Sequence, residues 1–235
     1  MKYFRFGNIR VMSLLETMIS TVAPHACLSC GREGKIICNL CRPDICLPIP
    51  SRCYLCKAAT QDFAVCDKCR RKSALRHVWV ASEFENLVKE LIHKFKFGHA
   101  QAATPIIAQY MSDCLPFVED MLIVPLPTAS SRARLRGYDH TKLIAKQLSM
   151  LRHLPYAVAL SRMGQTRQVG AKRGERTKQL EGSFWVNNKS VVNKERILLV
   201  DDVTTTGATL GVAAKALKRA GAKQVNAVVF ADVVY

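Results

Sequence analysis

The hydrophobic pattern of this chain changes character near residue 76. Beyond that point short apolar runs alternate with helical periodicities. Residues 77–84 are β-rich and read as a strand. Leu87, Val88, Leu91, Ile92 and Phe95 recur at helical spacing, with Gly98 placed to close that helix. A second helix is expected over 104–115 and a short apolar strand over 121–126. Leu143, Ile144, Leu148 and Leu151 mark a further helix, for which Asp139 is a suitable N-cap. Residues 157–160 and 184–186 read as short strands. The run 197–200 is apolar without interruption, as in strands covered on both faces. A helix over 207–220, closed by Gly221, and a last buried strand over 225–229 complete the pattern. Strands alternating with helices in this order predict an α/β fold built on a parallel, doubly wound sheet.

One stretch breaks the alternation. Residues 161–182 carry six basic residues and four glycines, and are too long and polar for a plain connector. A functional loop and a disordered basic linker both fit that composition.

Ahead of residue 76 the pattern is set by cysteine. Of ten cysteines, eight form four Cys-x-x-Cys pairs: Cys27/Cys30, Cys38/Cys41, Cys53/Cys56 and Cys66/Cys69. Two thiolates three residues apart lie on one side of a tight turn, ready to chelate, whereas disulfide partners are spaced to suit loop closure. Four pairs complete two Cys₄ tetrahedra, so two structural Zn²⁺ ions are expected. Seven residues separate Cys30 from Cys38 and nine separate Cys56 from Cys66, so 24–70 is built twice, as a double zinc ribbon. Such units have cores too small to fold without metal. Sequential pairing is the simplest arrangement, and interleaved pairing is compatible with the same spacing. Cys46 and Cys114 are left over and read as partly buried thiols.

Residues 1–23 form a tail. Lys2, Arg5 and Arg10 precede an apolar stretch over 11–22 that Glu16 interrupts, which reads as a ragged start before Met12 and a short amphipathic helix rather than a cleaved leader. No run approaches the roughly 18 consecutive apolar residues of a membrane span, and a cytoplasmic location is expected. The charge narrows the class of partner. Thirty-five Lys and Arg stand against 18 Asp and Glu, a formal net charge of +17 among 235 residues. Such an excess favours nucleotides, phosphates, nucleic acid or an anionic surface.

The sharpest chemical signal follows the run 197–200. Asp201, Asp202, Val203, Thr204, Thr205, Thr206, Gly207, Ala208 and Thr209 carry a buried strand through two carboxylates and a Thr/Gly loop into a helix. In open α/β sheets, ligands bind beyond the carboxyl ends of the strands. A helix N-terminus suits a dianionic phosphate, Gly207 permits close backbone approach, and Thr205, Thr206 and Thr209 add hydroxyl donors. Asp201 and Asp202 suit the ribose 2′- and 3′-hydroxyls. With a polyphosphate at C1, Mg²⁺ would balance the charge. A Walker B strand also ends in carboxylates, but it needs Gly-x-x-x-x-Gly-Lys-Ser/Thr elsewhere, and the chain has none. A receiver domain would not continue into Thr-Thr-Thr-Gly-Ala-Thr. A phosphorylated ribose is the ligand this order of parts fits.

The loop resembles the 5-phosphoribosyl-1-pyrophosphate (PRPP) fingerprint of type I phosphoribosyltransferases. The chain after Met12 is similar to the ComF family, through the cysteine knuckles, the segment from Leu91 to Gly98, Val124-Pro125-Leu126-Pro127, and Arg136-Gly137-Tyr138-Asp139-His140. The family commonly has Arg-Gly-Phe-Asn-Gln at this last position, from which the chain departs. The resemblance implies a type I phosphoribosyltransferase fold over 76–235, PRPP bound with Mg²⁺ at Asp201, Asp202 and Thr204 to Thr209, and pyrophosphate contacts from Arg132, Arg136 and Gly137. It also implies a hood at 161–182 over the site. Its functional implication is a PRPP-binding protein linked to DNA uptake, with single-stranded DNA and a competence helicase or other uptake protein as partners. Two alternatives stand beside it: a transferase displacing pyrophosphate with an unknown acceptor, and a zinc-ribbon adaptor docking a DNA-translocating helicase. Tyr54, Phe63 and Trp79 are candidate base-stacking residues, although core packing is the commoner use of each.

Overall fold

The computed structural model describes residues 25–46, 48–97, 100–117, 119–128, 137–163 and 182–233. Two short helices lie in the cysteine-rich part, α1 (Arg42–Ile45) and α2 (Asp67–Arg70). The α/β part follows as β1 (Val78–Glu83), α3 (Asn86–Phe97), α4 (Thr104–Cys114), β2 (Met121–Pro125), α5 (His140–Arg152), β3 (Leu160–Arg162), β4 (Phe184–Val186), α6 (Lys189–Val192), β5 (Arg196–Thr204), α7 (Ala208–Arg219) and β6 (Gln224–Asp232).

Four strands form one sheet in the order β1-β6-β5-β2, and every neighbouring pair is parallel. Alternation along β5 explains its unbroken apolar run. Leu198 and Val200 face a layer with Leu91, Phe95, Ile107, Met111, Ile144 and Leu148 from α3, α4 and α5. Ile197 and Leu199 face the opposite layer with Ala213, Ala214 and Leu217 from α7. A strand covered on both sides needs apolar residues at both parities. The expected parallel α/β sheet, covered on both faces, is therefore present.

The central strands run further than their apolar cores. The apolar run 197–200 and the buried strand expected over 225–229 lie within strands Arg196–Thr204 and Gln224–Asp232. Asp201 pairs with Val229, Val203 with Ala231 and Thr204 with Asp232. Beyond Val200 the chain turns polar although Asp202 and Thr204 stay buried, and the backbone ladder continues. The carboxylates thus sit on a strand rather than a free loop, which restricts their movement. The strand expected over 157–160 also shifts. Its place is taken by Leu160–Arg162, antiparallel to Phe184–Val186 in a separate two-stranded sheet, while Tyr156 makes a parallel bridge to Ile123. This small sheet holds both ends of the stretch read as a hood; its middle, 164–181, lies outside the described residues, as does the tail helix expected over 12–22.

The two ribbons dock on opposite faces of the sheet. Ile36 and Ile37 of the first join the layer that includes α3, α4 and α5. The hydroxyl of Tyr110 on α4 donates to the Arg42 carbonyl at 2.7 Å, and Arg42 forms an ion pair with Asp113. From the second ribbon, Cys53, Tyr54 and Val65 enter the layer that contains α7. Ala64 bridges to His77 at the start of β1, and the Trp79 indole donates to Asp62 at 2.9 Å.

Candidate functional site

The eight knuckle cysteines gather into two clusters, Cys27/Cys30/Cys38/Cys41 and Cys53/Cys56/Cys66/Cys69, with all sulfurs of a cluster within 4.8 Å of one another. Pairing is sequential. A tetrahedron with Zn–S bonds of about 2.3 Å has sulfur edges of about 3.8 Å; Cys30 Sγ lies 3.8 Å from Cys38 Sγ, and Cys56 Sγ lies 3.5 Å from Cys66 Sγ. The repeat extends to the turns. Ala26 bridges to Glu33 across the first knuckle, and Arg52 bridges to Ala59 across the third. Burial alone would raise the Cys27 thiol, but backbone donors from Cys30, Cys38 and Ser29 outweigh it and bring it down to about 6. At Cys53 burial is likewise outweighed, by the Cys56, Cys66 and Leu55 amides, to about 7. Thiolate-stabilising amides around four convergent sulfurs fit Zn²⁺. Cys46 and Cys114 stand apart from both clusters, half-buried, and burial pushes each up to about 12.

The second site is built at the carboxyl ends of β5 and β2. Asp202 is 4% exposed. Its Oδ2 lies 2.6 Å from Lys96 Nζ and 2.9 Å from His140 Nε2, and its Oδ1 accepts from the Val203 amide at 2.7 Å. Burial acts to raise this carboxyl, but the His140 hydrogen bond and the Lys96 charge overcome it and hold it well below the usual carboxylate range. Asp201 goes the other way. Burial and the adjacent Asp202 charge push it well above the ordinary value, despite the Asp202 amide that donates to its Oδ1 at 2.9 Å. The two neighbouring carboxyls are thus shifted in opposite directions, Asp202 down and Asp201 up, which makes Asp201 the readier proton holder.

Lys96 and His140 are the residues that sequence reasoning missed here. Lys96 follows Phe95 at the edge of the buried face of α3, and its only sequence signal is a cation placed beside an apolar stripe. His140 opens α5 and is 4% exposed, buried by its position rather than by its chemistry. Asp139 caps α5 by accepting from the Lys142 amide, as expected, and also accepts from the Thr128 and Thr141 hydroxyls. Tyr138 donates to the Phe95 carbonyl, tying α5 to α3 beside Lys96. The chain's departure from the Phe-Asn-Gln pattern therefore places an imidazole against Asp202.

After Thr204 the chain turns through exposed Thr205 and Thr206 to Gly207, whose φ of +69° caps α7 without a side chain. Ala208 donates to Thr206 Oγ1 at 3.4 Å, and Thr209 is half-buried in the first helical turn. The N-cap of this twelve-residue helix thus supplies no side-chain acceptor to the first amides, which suits an anion. Gly137, with φ +76°, is exposed just ahead of Asp139 and His140; Arg132 and Arg136 lie outside the described residues. Trp79 and Tyr54 are 2% and 6% exposed, so neither offers a free face to a base.

Residues 136–233 match the phosphoribosyl transferase domain family, covering β5, its loop and α7. The chain is 29% identical over 200 residues to the competence protein ComFC of Bacillus subtilis, covering 81% of each protein. It is 32% identical over 107 residues to competence protein F of Haemophilus influenzae, covering 44% of this chain and 47% of that one. It is also 25% identical over 216 residues to the DNA utilization protein YhgH of Escherichia coli, covering 81% of this chain and 94% of that one. With two Cys₄ clusters ahead of its phosphoribosyl transferase domain, the chain is similar to the ComF competence proteins. No described helix is long and apolar enough to cross a membrane.

Proposed function

We propose that this protein binds PRPP at the turn between β5 and α7 and serves DNA uptake, holding single-stranded DNA on its positively charged surface. The observation that carries the reading is the continuous path from the Asp201–Asp202 strand end, through Thr205 and Thr206, to the open N-terminus of α7. The 5′-phosphate is taken by Thr205 to Thr209 and the ribose hydroxyls by Asp201 and Asp202. Lys96, held on Asp202 without ligand, exchanges that carboxylate for ligand oxygens. Arg132, Arg136 and Gly137 supply the pyrophosphate side, with Mg²⁺ offsetting the ligand's charge. The relatives' names, competence protein and DNA utilization protein, together with a net charge of +17, support the link to DNA. Reduced Cys₄ centres fit a reducing compartment, and we place the protein in the cytoplasm.

The test is incubation with PRPP, Mg²⁺ and a panel of amines and bases, following ligand binding and pyrophosphate release. Saturable binding without release supports a binding or sensing role. Release with one acceptor supports the second reading, a pentosyl transferase using displacement at C1. Absence of binding contradicts both. Single-stranded DNA affinity should fall by about tenfold or more between 50 and 200 mM salt if backbone phosphates are contacted; a salt-independent affinity contradicts that part.

A further inference from the structure

The second zinc ribbon reaches the ligand loop itself. A Cβ built on Gly207 would stand 2.3 Å from Cδ2 and 2.5 Å from Cε2 of Tyr54. The ring therefore fills the space that any side chain at 207 would take. One built on Gly211, a turn further along α7, would lie 3.8 Å from the Tyr54 hydroxyl, so the ring spans the first turn of the helix. Tyr54 is fixed in turn. It stands between Cys53 and Cys56, is 6% exposed, and its hydroxyl lies 3.0 Å from Ser73 Oγ. Flanking residues of the same knuckle grip the adjacent strand end. Arg52 and Lys57 pair with Asp232 Oδ2 at 3.3 and 2.7 Å, and Asp232 is the register partner of Thr204. The first ribbon is anchored elsewhere, through Ile36, Ile37 and the Arg42–Asp113 pair on the α4 side of the sheet.

A loop of small polar residues has little packing of its own, and ordering it on binding would cost affinity. A rigid ring behind Gly207 removes that cost before the ligand arrives. We propose that Tyr54 is a positioning residue for the loop 205–209, and that zinc in the second centre, but not in the first, is required for the loop to bind its phosphorylated ribose. The affinity part rests on the PRPP reading above. The ordering part does not.

The experiment compares full-length wild type, Tyr54→Phe, Tyr54→Ala, Cys56→Ser and Cys30→Ser in zinc content, thermal unfolding, amide hydrogen exchange across 203–210, and calorimetric titration with PRPP and Mg²⁺. Tyr54→Phe keeps the ring and should bind within about twofold of wild type. Tyr54→Ala should keep both zinc ions, exchange faster across 203–210, and bind at least about tenfold weaker. Cys56→Ser should lose one zinc and reproduce the Tyr54→Ala exchange pattern, and Cys30→Ser should lose one zinc and leave the loop's exchange unchanged. Unchanged loop exchange in Tyr54→Ala with zinc retained, or equal loosening in both cysteine variants, would overturn the proposal. If wild type binds no PRPP, the PRPP reading and the affinity part fail together, while the exchange data still decide the ordering part. If wild type binds PRPP and Tyr54→Ala binds as tightly, the inference fails and the reading stands.

Discussion

Replacing Lys96 with Met should expose the electrostatic design of the carboxylate pair. The ammonium lies 2.6 Å from Asp202 Oδ2. At an effective dielectric constant near 20, that separation corresponds to a gross attraction of about 6 kcal/mol. Much of it is offset by the cost of withdrawing both ions from water. Loss of one partner from a buried pair typically costs about 3–5 kcal/mol because a charge is left unpaired. Here His140 remains 2.9 Å away, so the expected loss is about 2–3 kcal/mol at pH 7, somewhat below that range. In a chain of this size it corresponds to a fall in Tm of about 5–10 °C. The pH dependence separates charge from packing. Burial opposes ionisation of Asp202, but His140 and Lys96 depress its folded pKa. The stabilisation is therefore present above the unfolded value near 4 and is lost as pH falls toward the folded value. Urea unfolding of both proteins from pH 7 downward should show a deficit that is constant while Asp202 is ionised in both folded states and narrows once the variant's carboxyl protonates. A deficit that persists beyond that point would assign it to packing, and no deficit at pH 7 would refute the pairing.

Asp201→Asn should stabilise the free protein. Burial and the Asp202 charge raise the Asp201 pKa, so wild type loses stability as pH rises above about 4, and the uncharged amide does not. We expect a gain of about 1 kcal/mol at pH 7, about 2–4 °C in Tm, vanishing near pH 3, with weaker PRPP binding; a destabilised variant at pH 7 would contradict the raised pKa of Asp201. Metal analysis should return about two zinc ions per chain, falling by one in either Cys41→Ser or Cys69→Ser. A wild-type count of one would remove one of the two centres.

The zinc ligands were legible in sequence because Cys-x-x-Cys spacing is itself the local geometry of chelation. Which knuckles pair was not, because that depends on the path between Cys41 and Cys53. The buried strands were legible at Ile197–Val200 and Val225–Val229 through burial on both faces. The extension of β5 to Thr204 was hidden, because its last positions are polar and backbone pairing leaves no hydrophobic trace, whereas Phe230 and Ala231 carry the apolar pattern of β6 almost to Asp232. Asp201 and Asp202 were recognisable from their order before Thr205 and Gly207, but their opposite pKa shifts were not. Those depend on Lys96 and His140, brought in from α3 and α5 by tertiary packing alone. Tyr54 reads as a core aromatic in sequence, and it is one; only the fold reveals that the core it enters lies behind Gly207.

The central claim is that the β5–α7 turn holds PRPP. Isothermal titration of wild type and Asp202→Asn with PRPP in the presence of Mg²⁺ tests it most directly. The account predicts one saturable site per chain in wild type and at least about tenfold weaker binding in the variant. Equal affinity in the two proteins, or no saturable heat in wild type, would contradict it.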